Sequence, residues 1–369
     1  MACCLPVRDF SELHSRAIET VDADSLLSLT ELHGVAAQLA TALSELTDEQ
    51  LPPLLRDKLR VHHRNQAVST IALTAELFRI LELLGAARIE AAVVKGPVLS
   101  MRAFGDPAAR HFADVDLLLR HSDVRRASEI VAGAGFEPRV SRSHMEAGKT
   151  PGQYFFRRGL SVVELHTERT LRYFPRPLPI EEFLGRKTAI NLDGRQVPAL
   201  SVEDEFVLIS IHGAKHFWER LMWVSDIAAT VHRQAQLDWG RIRQSAASVG
   251  AQRMVRVALL LAERVLRVSV PQEMKREVAD DAACLPMVKK IESRLPYGGY
   301  HPLSLAERAL FRLRMRGHLL AGAGYLTRLS LSTTEEDWSR SPQSAAAALG
   351  ETLRRPFRLA RKYRKRSVK

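Results

Sequence analysis

The sequence predicts an α+β protein: a small mixed β-sheet with its helices, followed by a mainly α-helical C-terminal domain. Between residues 89 and 166, strand-like and helical patterns alternate in the order strand, helix, strand, helix, strand. Such alternation is typical of a sheet that packs against helices, and we expect these helices on one face. From residue 202 to about 365, apolar side chains recur with helical spacing almost throughout.

The first elements follow from local patterns. Residues 24–45 and 57–85 are predicted to be helical, and in the second segment the apolar side chains recur at three- and four-residue spacing. The apolar run 89–94 predicts a strand that ends before Gly96. The following Pro97 suits the first turn of a helix.

The next elements complete the predicted sheet. A strand is expected at 115–119, followed by a helix near 123–134 that the preceding Ser-Asp pair can cap. The runs QYFFRR and LSVVELHTE predict an antiparallel pair at about 153–157 and 160–166, because Arg-Arg-Gly between them suits a turn.

Length and composition restrict the class of protein. The 369 residues, 46% of them hydrophobic, suffice for a sizeable core and suggest two domains. The chain has no apolar run of about 18 residues and no basic-then-apolar start, so we expect neither a membrane span nor a secretory signal. Cys3, Cys4 and Cys284 lack metal-ligand spacing, which argues against a zinc site and favours a cytoplasmic location.

The positive charge is concentrated at the C-terminus. Residues 354–369 contain nine Lys or Arg and no acid, which leaves +3 of the formal charge of +12 for the other 353 residues. This basic tail could bind nucleic acid or an anionic surface, such as lipid headgroups or an acidic protein. A solvated terminus that aids solubility is the alternative interpretation.

The chain divides into four parts on these patterns. They are an N-terminal helical segment, a core domain that contains the sheet, a helical domain and the basic tail. The change from strand to helical patterns after Pro198 sets the second boundary. The predicted ranges are 1–56, 57–200, 201–353 and 354–369.

Two aspartates at the second strand are the most informative residues of the chain. Asp114 and Asp116 lie two residues apart in DVDLLL, so their side chains point to the same face of the strand. Adjacent carboxylates at an apolar strand repel each other unless a cation neutralises them, and Mg²⁺ prefers such oxygen ligands. The pair therefore indicates phosphoryl or nucleotidyl transfer. The alternative is that the acids cap a helix or pair with Arg120.

Glu164 is the best candidate for a third metal ligand or base. It lies in VVELHTE, a second apolar strand in which a single acid is equally out of place. Three carboxylates on two adjacent strands can hold two metal ions. In this hypothesis Asp114 and Asp116 bridge the ions, while Glu164 binds the ion nearest to the acceptor and assists its deprotonation.

The residues around these acids suit a phosphate. Lys95-Gly96 lies between a strand and a helix, where Gly permits close backbone approach and the helix N-terminus favours an anion. Lys95 adds a positive charge for the same group. Arg110, four residues before Asp114, could hold a phosphate or orient Asp114. An ordinary strand-to-helix turn and a solvated loop arginine are the alternatives.

A histidine-containing block in the helical domain is a second candidate cleft region. His212 and His216 share a helix face, but the pattern is not HExxH, so packing at the domain junction is favoured over zinc binding. We expect the histidines, Lys215 and Trp218 to face a cleft, and Asp226 to pair with Lys215 or His216. The neighbouring apolar residues are interpreted as core rather than as a base-stacking site: Phe217, Trp218, Leu221, Trp223 and Ile227.

As an ordered set, these motifs resemble the uncharacterised nucleotidyltransferase family related to the DNA polymerase β superfamily. Members carry Lys-Gly after the first strand, a loop Arg, an Asp-x-Asp-Leu-Leu strand, an acidic-Leu-His strand and a His-x-x-Lys-His-x-Trp helix that leads to Trp-x-x-Asp. The matching positions are Lys95-Gly96, Arg110, Asp114 to Leu118, Glu164-Leu165-His166, His212 to Trp218, Trp223 and Asp226. The resemblance covers roughly residues 60–235.

The resemblance implies a palm-like α/β core, two Mg²⁺ ions and transfer of a nucleoside monophosphate from an NTP to a small-molecule or peptide acceptor. Catalysis and metal binding fall to Asp114, Asp116 and Glu164, and nucleotide binding to Lys95, Gly96 and Arg110. Possible cleft residues are His166, His212, Lys215, His216 and Asp226. In the wider superfamily, Gly-Ser stands in place of Lys-Gly, and the third acid is more often Asp than Glu.

Three activities are compatible with these patterns. The first is nucleotidyl transfer with release of pyrophosphate. The second is a kinase-like transfer of the γ-phosphoryl group to a peptide or small molecule, using the same acids and metal. The third is a non-catalytic nucleotide- or RNA-binding module that uses the basic tail. We favour the first, because a binding module has no need of three desolvated acids.

Overall fold

The computed structural model of the protein describes residues 2–4, 22–44, 51–139, 152–171, 176–299, 303–317 and 319–331, together with residues 354, 357 and 358. Most of the basic tail therefore lies outside the described residues. Within them, no helix combines the length and the apolar character that crossing a membrane requires.

Within the described residues, three α-helices precede the sheet. They are α1 (Ala23–His33), α2 (Ala36–Leu43) and α3 (Pro53–Ala86). Gly34 ends α1 in the left-handed conformation, with φ 69°, and its N–H donates to the carbonyl of Glu31. The single helix predicted for residues 24–45 is therefore two helices.

Seven strands form one mixed sheet in the order β3-β4-β5-β2-β1-β7-β6. Their ranges are β1 (Ala91–Val93), β2 (Val115–Leu119), β3 (Glu137–Pro138), β4 (Gln153–Arg158), β5 (Ser161–His166), β6 (Thr188–Leu192) and β7 (Arg195–Ala199). β2 lies near the centre, antiparallel to β1 and parallel to β5. The predicted mixed sheet is confirmed, and β4 and β5 form the predicted antiparallel pair.

The hairpin of β6 and β7 was not predicted, although the sequence carries its signal. Asp193 and Gly194, in INLDGRQV, have φ angles of 50° and 79°. Two successive positive φ angles are typical of the two-residue turn that Asp-Gly favours between antiparallel strands. Because of this hairpin, the sheet has more strands than the sequence patterns predicted.

Three helices belong to the sheet region: α4 (Pro97–Phe104), α5 (Val124–Gly133) and α6 (Ile180–Gly185). A 3₁₀ turn at His121–Asp123 precedes α5. Asp123 occupies the N-cap position of α5, but its side chain makes no capping hydrogen bond, so the predicted cap is wrong.

The C-terminal part is helical, as predicted. The helices are α7 (Val202–Lys215), α8 (Leu221–Arg233), α9 (Trp239–Val249), α10 (Gln252–Leu266), α11 (Gln272–Asp280), α12 (Cys284–Arg294), α13 (Leu305–Arg314) and α14 (Leu319–Leu331). Helices α7, α8 and α10 contact one another, and α8 also packs against α4.

Helices cover both faces of the sheet, which corrects the expectation of one covered face. We call the face that carries Val115, Leu117 and Leu119 the apolar face, because these side chains join one core with α3 and α5. We call the other the acidic face, since it carries Asp116. Leu118 on this face joins the core of the helical part. The helical part therefore packs directly on the face that holds the acids.

Candidate active site

The register of two parallel strands brings the acids together. Asp116 on β2 is paired with Glu164 on β5, and His166 lies two residues farther along β5 on the same face. Asp114 immediately precedes β2, with its side chain 27% exposed, whereas that of Asp116 is fully buried. The structure thus places these four side chains in one group, which we call the acidic cluster: Asp114, Asp116, Glu164 and His166.

Two basic side chains bind the aspartates. The ammonium of Lys95 lies 2.9 Å from Oδ2 of Asp116 and 3.6 Å from Oδ2 of Asp114. Nε2 of His166 lies 2.8 Å from Oδ1 of Asp116 and 3.3 Å from Oε2 of Glu164. Each oxygen of Asp116 therefore faces a separate cationic or hydrogen-bonding group.

Two further side chains position the cluster from the β5 side. The amide of Gln153 on β4 donates to Oε2 of Glu164. Nδ1 of His166 lies 2.9 Å from Oγ1 of Thr170. Sequence reasoning missed both residues, because neither a polar residue at the start of a strand nor a threonine in a 3₁₀ turn carries a pattern of its own.

Burial and charge give the clustered groups unusual pKa values. Burial and the neighbouring Asp116 raise the pKa of Asp114 to about 6. Burial alone would also raise the pKa of Asp116, but the Lys95 charge and the hydrogen bond from His166 hold it well below its usual value. Burial opposes protonation of His166, whereas its contacts with Asp116 and Glu164 raise its pKa to about 9. At neutral pH the cluster therefore combines ionised acids with a protonated histidine.

The donor groups suit a divalent cation. One ligand atom from each of Asp116, Glu164 and His166 lies within 4.8 Å of the others. The predicted metal ligands were Asp114, Asp116 and Glu164. The structure adds His166 to these, and the Lys95 ammonium contacts both Asp114 and Asp116. Carboxylate oxygens fit Mg²⁺ or Mn²⁺. His166 would have to release a proton before its imidazole nitrogen could bind a metal, and that nitrogen would widen the choice toward transition metals.

Gly96 shapes the turn that places Lys95. It is the N-cap residue of α4, with φ 71° and ψ −134°, a conformation that other residues rarely adopt. Pro97 begins α4, as predicted. A Cβ at Gly96 would meet only ordinary contacts, to the carbonyl of Asp114 and the ring of Phe112, so the backbone angle and not space requires glycine here. The role of this turn in nucleotide binding stays a prediction.

Arg110 does not lie where the sequence analysis placed it. Its side chain is buried, and its Nε donates to Oδ1 of Asp226 on α8 at 2.8 Å. The alternative of a solvated loop arginine is therefore wrong, and Asp226 pairs with Arg110 rather than with Lys215 or His216. Nucleotide binding by Arg110 stays a prediction. The pair joins the loop before Asp114 to the helical part. A second buried pair, Arg102 with Glu205 at 3.0 Å, joins α4 to α7 and was not predicted.

The histidine block separates into a buried side and a partly exposed side. His212, His216 and Trp223 are partly exposed and lie in ring contact, whereas Trp218 is fully buried and Lys215 is exposed. The expectation that Lys215 and Trp218 face the cleft together with the histidines is therefore corrected. The core interpretation is confirmed for Phe217, Trp218, Leu221 and Ile227, whereas Trp223 packs against the same core but stays partly exposed.

A backbone reversal explains the buried tryptophan. Phe217 and Trp218 both adopt positive φ angles, 59° and 54°, and the N–H of Trp218 donates to the carbonyl of Gly213 at 2.9 Å. The indole then lies against α7, where a Cβ on Gly213 would come within 2.5 Å of it. The spacing of glycine and tryptophan in HGAKHFW thus serves packing, while the two histidines remain partly exposed.

The fold and the acidic cluster define a nucleotidyltransferase-type protein, with an Asp-x-Asp strand beside a strand that supplies a third acid. Residues 19–267 match the family of uncharacterised nucleotidyltransferases, and the chain belongs to this family. A search of curated proteins finds no match. Among solved structures, the chain is similar to an antigenic nucleotidyltransferase-like protein from Paracoccidioides brasiliensis, with 16% identity and a TM-score of 0.28, over 49% of this chain and 85% of that one.

Proposed function

We propose that the protein is a Mg²⁺-dependent nucleotidyltransferase that moves a nucleoside monophosphate from an NTP to a small-molecule or peptide acceptor. The observation that carries this proposal is the buried acidic cluster. Asp116, fully buried, lies beside Glu164 in the strand register. Carboxylates that are buried so close together lower the stability of the fold. Their presence therefore favours a role in chemistry over a role in stability.

Each residue of the cluster has a proposed role. Asp114, Asp116 and Glu164 hold Mg²⁺, with two ions expected, and His166 orients Asp116 and Glu164 through its hydrogen bonds. Bound Mg²⁺ neutralises charge on the triphosphate and on the attacking oxygen. Lys95, now paired with the aspartates, exchanges this pairing for a phosphate oxygen when the NTP enters.

The proposed reaction is an in-line displacement at the α-phosphorus. An acceptor hydroxyl or phosphate oxygen forms the new bond to the α-phosphorus, and the bond from this atom to the bridging oxygen of the β-phosphate breaks. Pyrophosphate leaves with that oxygen. Glu164 lies at the acceptor side in this proposal and takes the proton of an attacking hydroxyl.

Labelled nucleotides test the proposal. The protein would be incubated with Mg²⁺, an extract of cellular metabolites and peptides, and NTPs labelled at the α- or the γ-phosphate. We expect transfer of the α-label with formation of pyrophosphate. Transfer of the γ-label alone would show the kinase-like reaction instead. Mg²⁺-dependent NTP binding without any transfer would support a non-catalytic nucleotide-binding module.

Two matched variants connect the outcome to the cluster. Asp116→Asn removes one negative charge from the site and should lower transfer by about 100-fold or more. Asp123→Asn makes the same chemical change just after β2, where the side chain makes no capping hydrogen bond, and should leave transfer unchanged. Equal activities of the two variants would contradict the assignment of Asp116.

A further inference from the structure

Three aromatic side chains of the helical part form a group of contacting rings near the acidic cluster. The rings of His216 and Trp223 are stacked, with centroids 5.1 Å apart and an interplanar angle of 29°. His212 contacts both rings, at 4.7 Å from His216 and 5.7 Å from Trp223. All three residues are only partly buried. We call this group the histidine–tryptophan cluster.

The nitrogens of this cluster are available to a ligand. Within the described part of the chain, the ring nitrogens of His212, His216 and Trp223 have no hydrogen-bond partner. By comparison, His166 and His33, which are also at least partly buried, both bond through a ring nitrogen. Packing alone thus explains the ring contacts of the cluster, but it does not account for its ring nitrogens.

The cluster is connected to the region of the acids. Trp223 is one helical turn before Asp226, which is bound to Arg110 in the loop that leads into Asp114. The positive charge of Lys95, itself bound to Asp114 and Asp116, is close enough to lower the pKa of both His212 and His216. Both clusters therefore lie in the region where the helical part packs on the acidic face of the sheet.

The chemistry of the rings selects an uncharged planar group. Burial is the main cause that holds the pKa of His216 down, to about 3, and that of His212 well below its usual value. Both imidazoles are therefore neutral at physiological pH, and each offers one N–H donor and one acceptor nitrogen. A nucleobase combines a flat π face with such donors and acceptors on its edge, and aromatic side chains commonly stack on it.

We propose that the histidine–tryptophan cluster binds the nucleobase of the NTP, with the base stacked on the rings of His216 and Trp223 while its triphosphate extends to Lys95 and the acidic cluster. This inference rests on the proposed function, because it assigns the base of the same nucleotide. The contact is made with the π face of the base, so purine nucleotides, which have the larger face, should bind more tightly than pyrimidine nucleotides.

Binding of Mg-ATP and Mg-tripolyphosphate to the same protein tests this inference, because tripolyphosphate lacks the base and the sugar. Trp223→Leu keeps an apolar side chain but removes the ring, and should weaken ATP binding by about tenfold or more. Its affinity for tripolyphosphate should equal that of the wild type. Trp223→Phe keeps a ring face and should retain most of the affinity for ATP.

The outcomes separate the base site from the proposed function. Unchanged ATP binding by Trp223→Leu, or equal weakening of ATP and tripolyphosphate, would overturn the base site and leave the nucleotidyltransferase proposal intact. A wild-type protein that binds neither ligand would overturn both proposals.

A fluorescence measurement keeps the test valid if Trp223→Leu fails to fold. A base stacked on Trp223 should quench its emission, so ATP should quench the wild-type protein and tripolyphosphate should not. The quenching should disappear in Trp223→Phe and persist in Trp239→Phe, since Trp239 lies on α9 in edge contact with Phe206. Quenching that persists in Trp223→Phe would contradict the inference.

Discussion

The two faces of the central sheet are both covered by helices, but different interactions hold the helices in place. On the apolar face, Val115, Leu117 and Leu119 pack with α3 and α5 in a core of apolar side chains. On the acidic face, apolar packing is supplemented by buried ion pairs, Arg110 with Asp226 and Arg102 with Glu205. Two successive residues of one strand thus differ in their role. Asp116 belongs to the acidic cluster, and Leu117 belongs to the apolar core.

The difference between the two faces shows that buried charged groups require specific partners in the surrounding elements. A buried acid needs a cation or hydrogen-bond donors, and those partners must come from other elements of the fold. Lys95 follows β1, His166 ends β5, and the loop before Asp114 is fastened by Arg110. The acidic face is consequently linked to its helices by fully buried ion pairs. On the apolar face the buried contacts are apolar, and the ion pair of Arg158 with Glu76 is partly exposed.

The largest effect is expected from breaking an ion pair on the acidic face. Asp226→Ala leaves the buried guanidinium of Arg110 without its partner, which should lower the free energy of unfolding by about 3–5 kcal/mol. Urea denaturation measures this change. The double variant Arg110→Met/Asp226→Leu replaces both charges by apolar groups and should recover most of the loss. A double variant as unstable as Asp226→Ala would show that the charge itself is not the cause.

A smaller loss, without any effect on the site, is expected on the apolar face. Leu117→Ala creates a cavity next to α3 and α5 and should lower the free energy of unfolding by about 2–4 kcal/mol. Mn²⁺ titration of the folded protein should give the wild-type affinity, whereas Asp116→Asn, the neighbouring residue on the other face, should lose it. If Leu117→Ala weakens Mn²⁺ binding as strongly, the two faces are not independent.

The smallest effect is expected from His216, on the helices over the acidic face. Its titration should make the stability of the protein depend on pH. Burial, and the charges of Lys215, Lys95, Arg220 and Arg312, lower the pKa of His216 to about 3. Below its unfolded pKa of 6.5, the unfolded chain gains a proton that the folded protein does not bind, so stability decreases as the pH falls. Between pH 7.5 and 5.5 this amounts to about 1 kcal/mol.

The matched variant His216→Gln isolates this contribution. It cannot titrate, so its free energy of unfolding should decrease less between pH 7.5 and 5.5 than that of the wild type. Urea denaturation at both pH values gives the difference. Identical pH dependence of the two proteins would mean that His216 is protonated in the folded state.

Local patterns predicted much of the fold and of the acidic cluster. The mixed sheet, the helical C-terminal part and the antiparallel pair of β4 and β5 follow from apolar periodicity, which reports burial directly. The Asp-Gly turn between β6 and β7 was predictable. The apolar and polar residues of these two strands, however, alternate too weakly to predict strands. Asp114, Asp116 and Glu164 were recognised because a carboxylate is conspicuous in an apolar strand.

The sequence by itself determined which residues are candidates for chemistry, because residue type and strand spacing fix the side chains that share a face. Only the tertiary structure decided which of them meet. It placed His166 and Lys95 on Asp116, paired the buried Arg110 with Asp226, and divided the histidine block into a partly exposed side and a buried side. These outcomes depend on contacts between residues up to 116 positions apart, and no local pattern specifies such contacts.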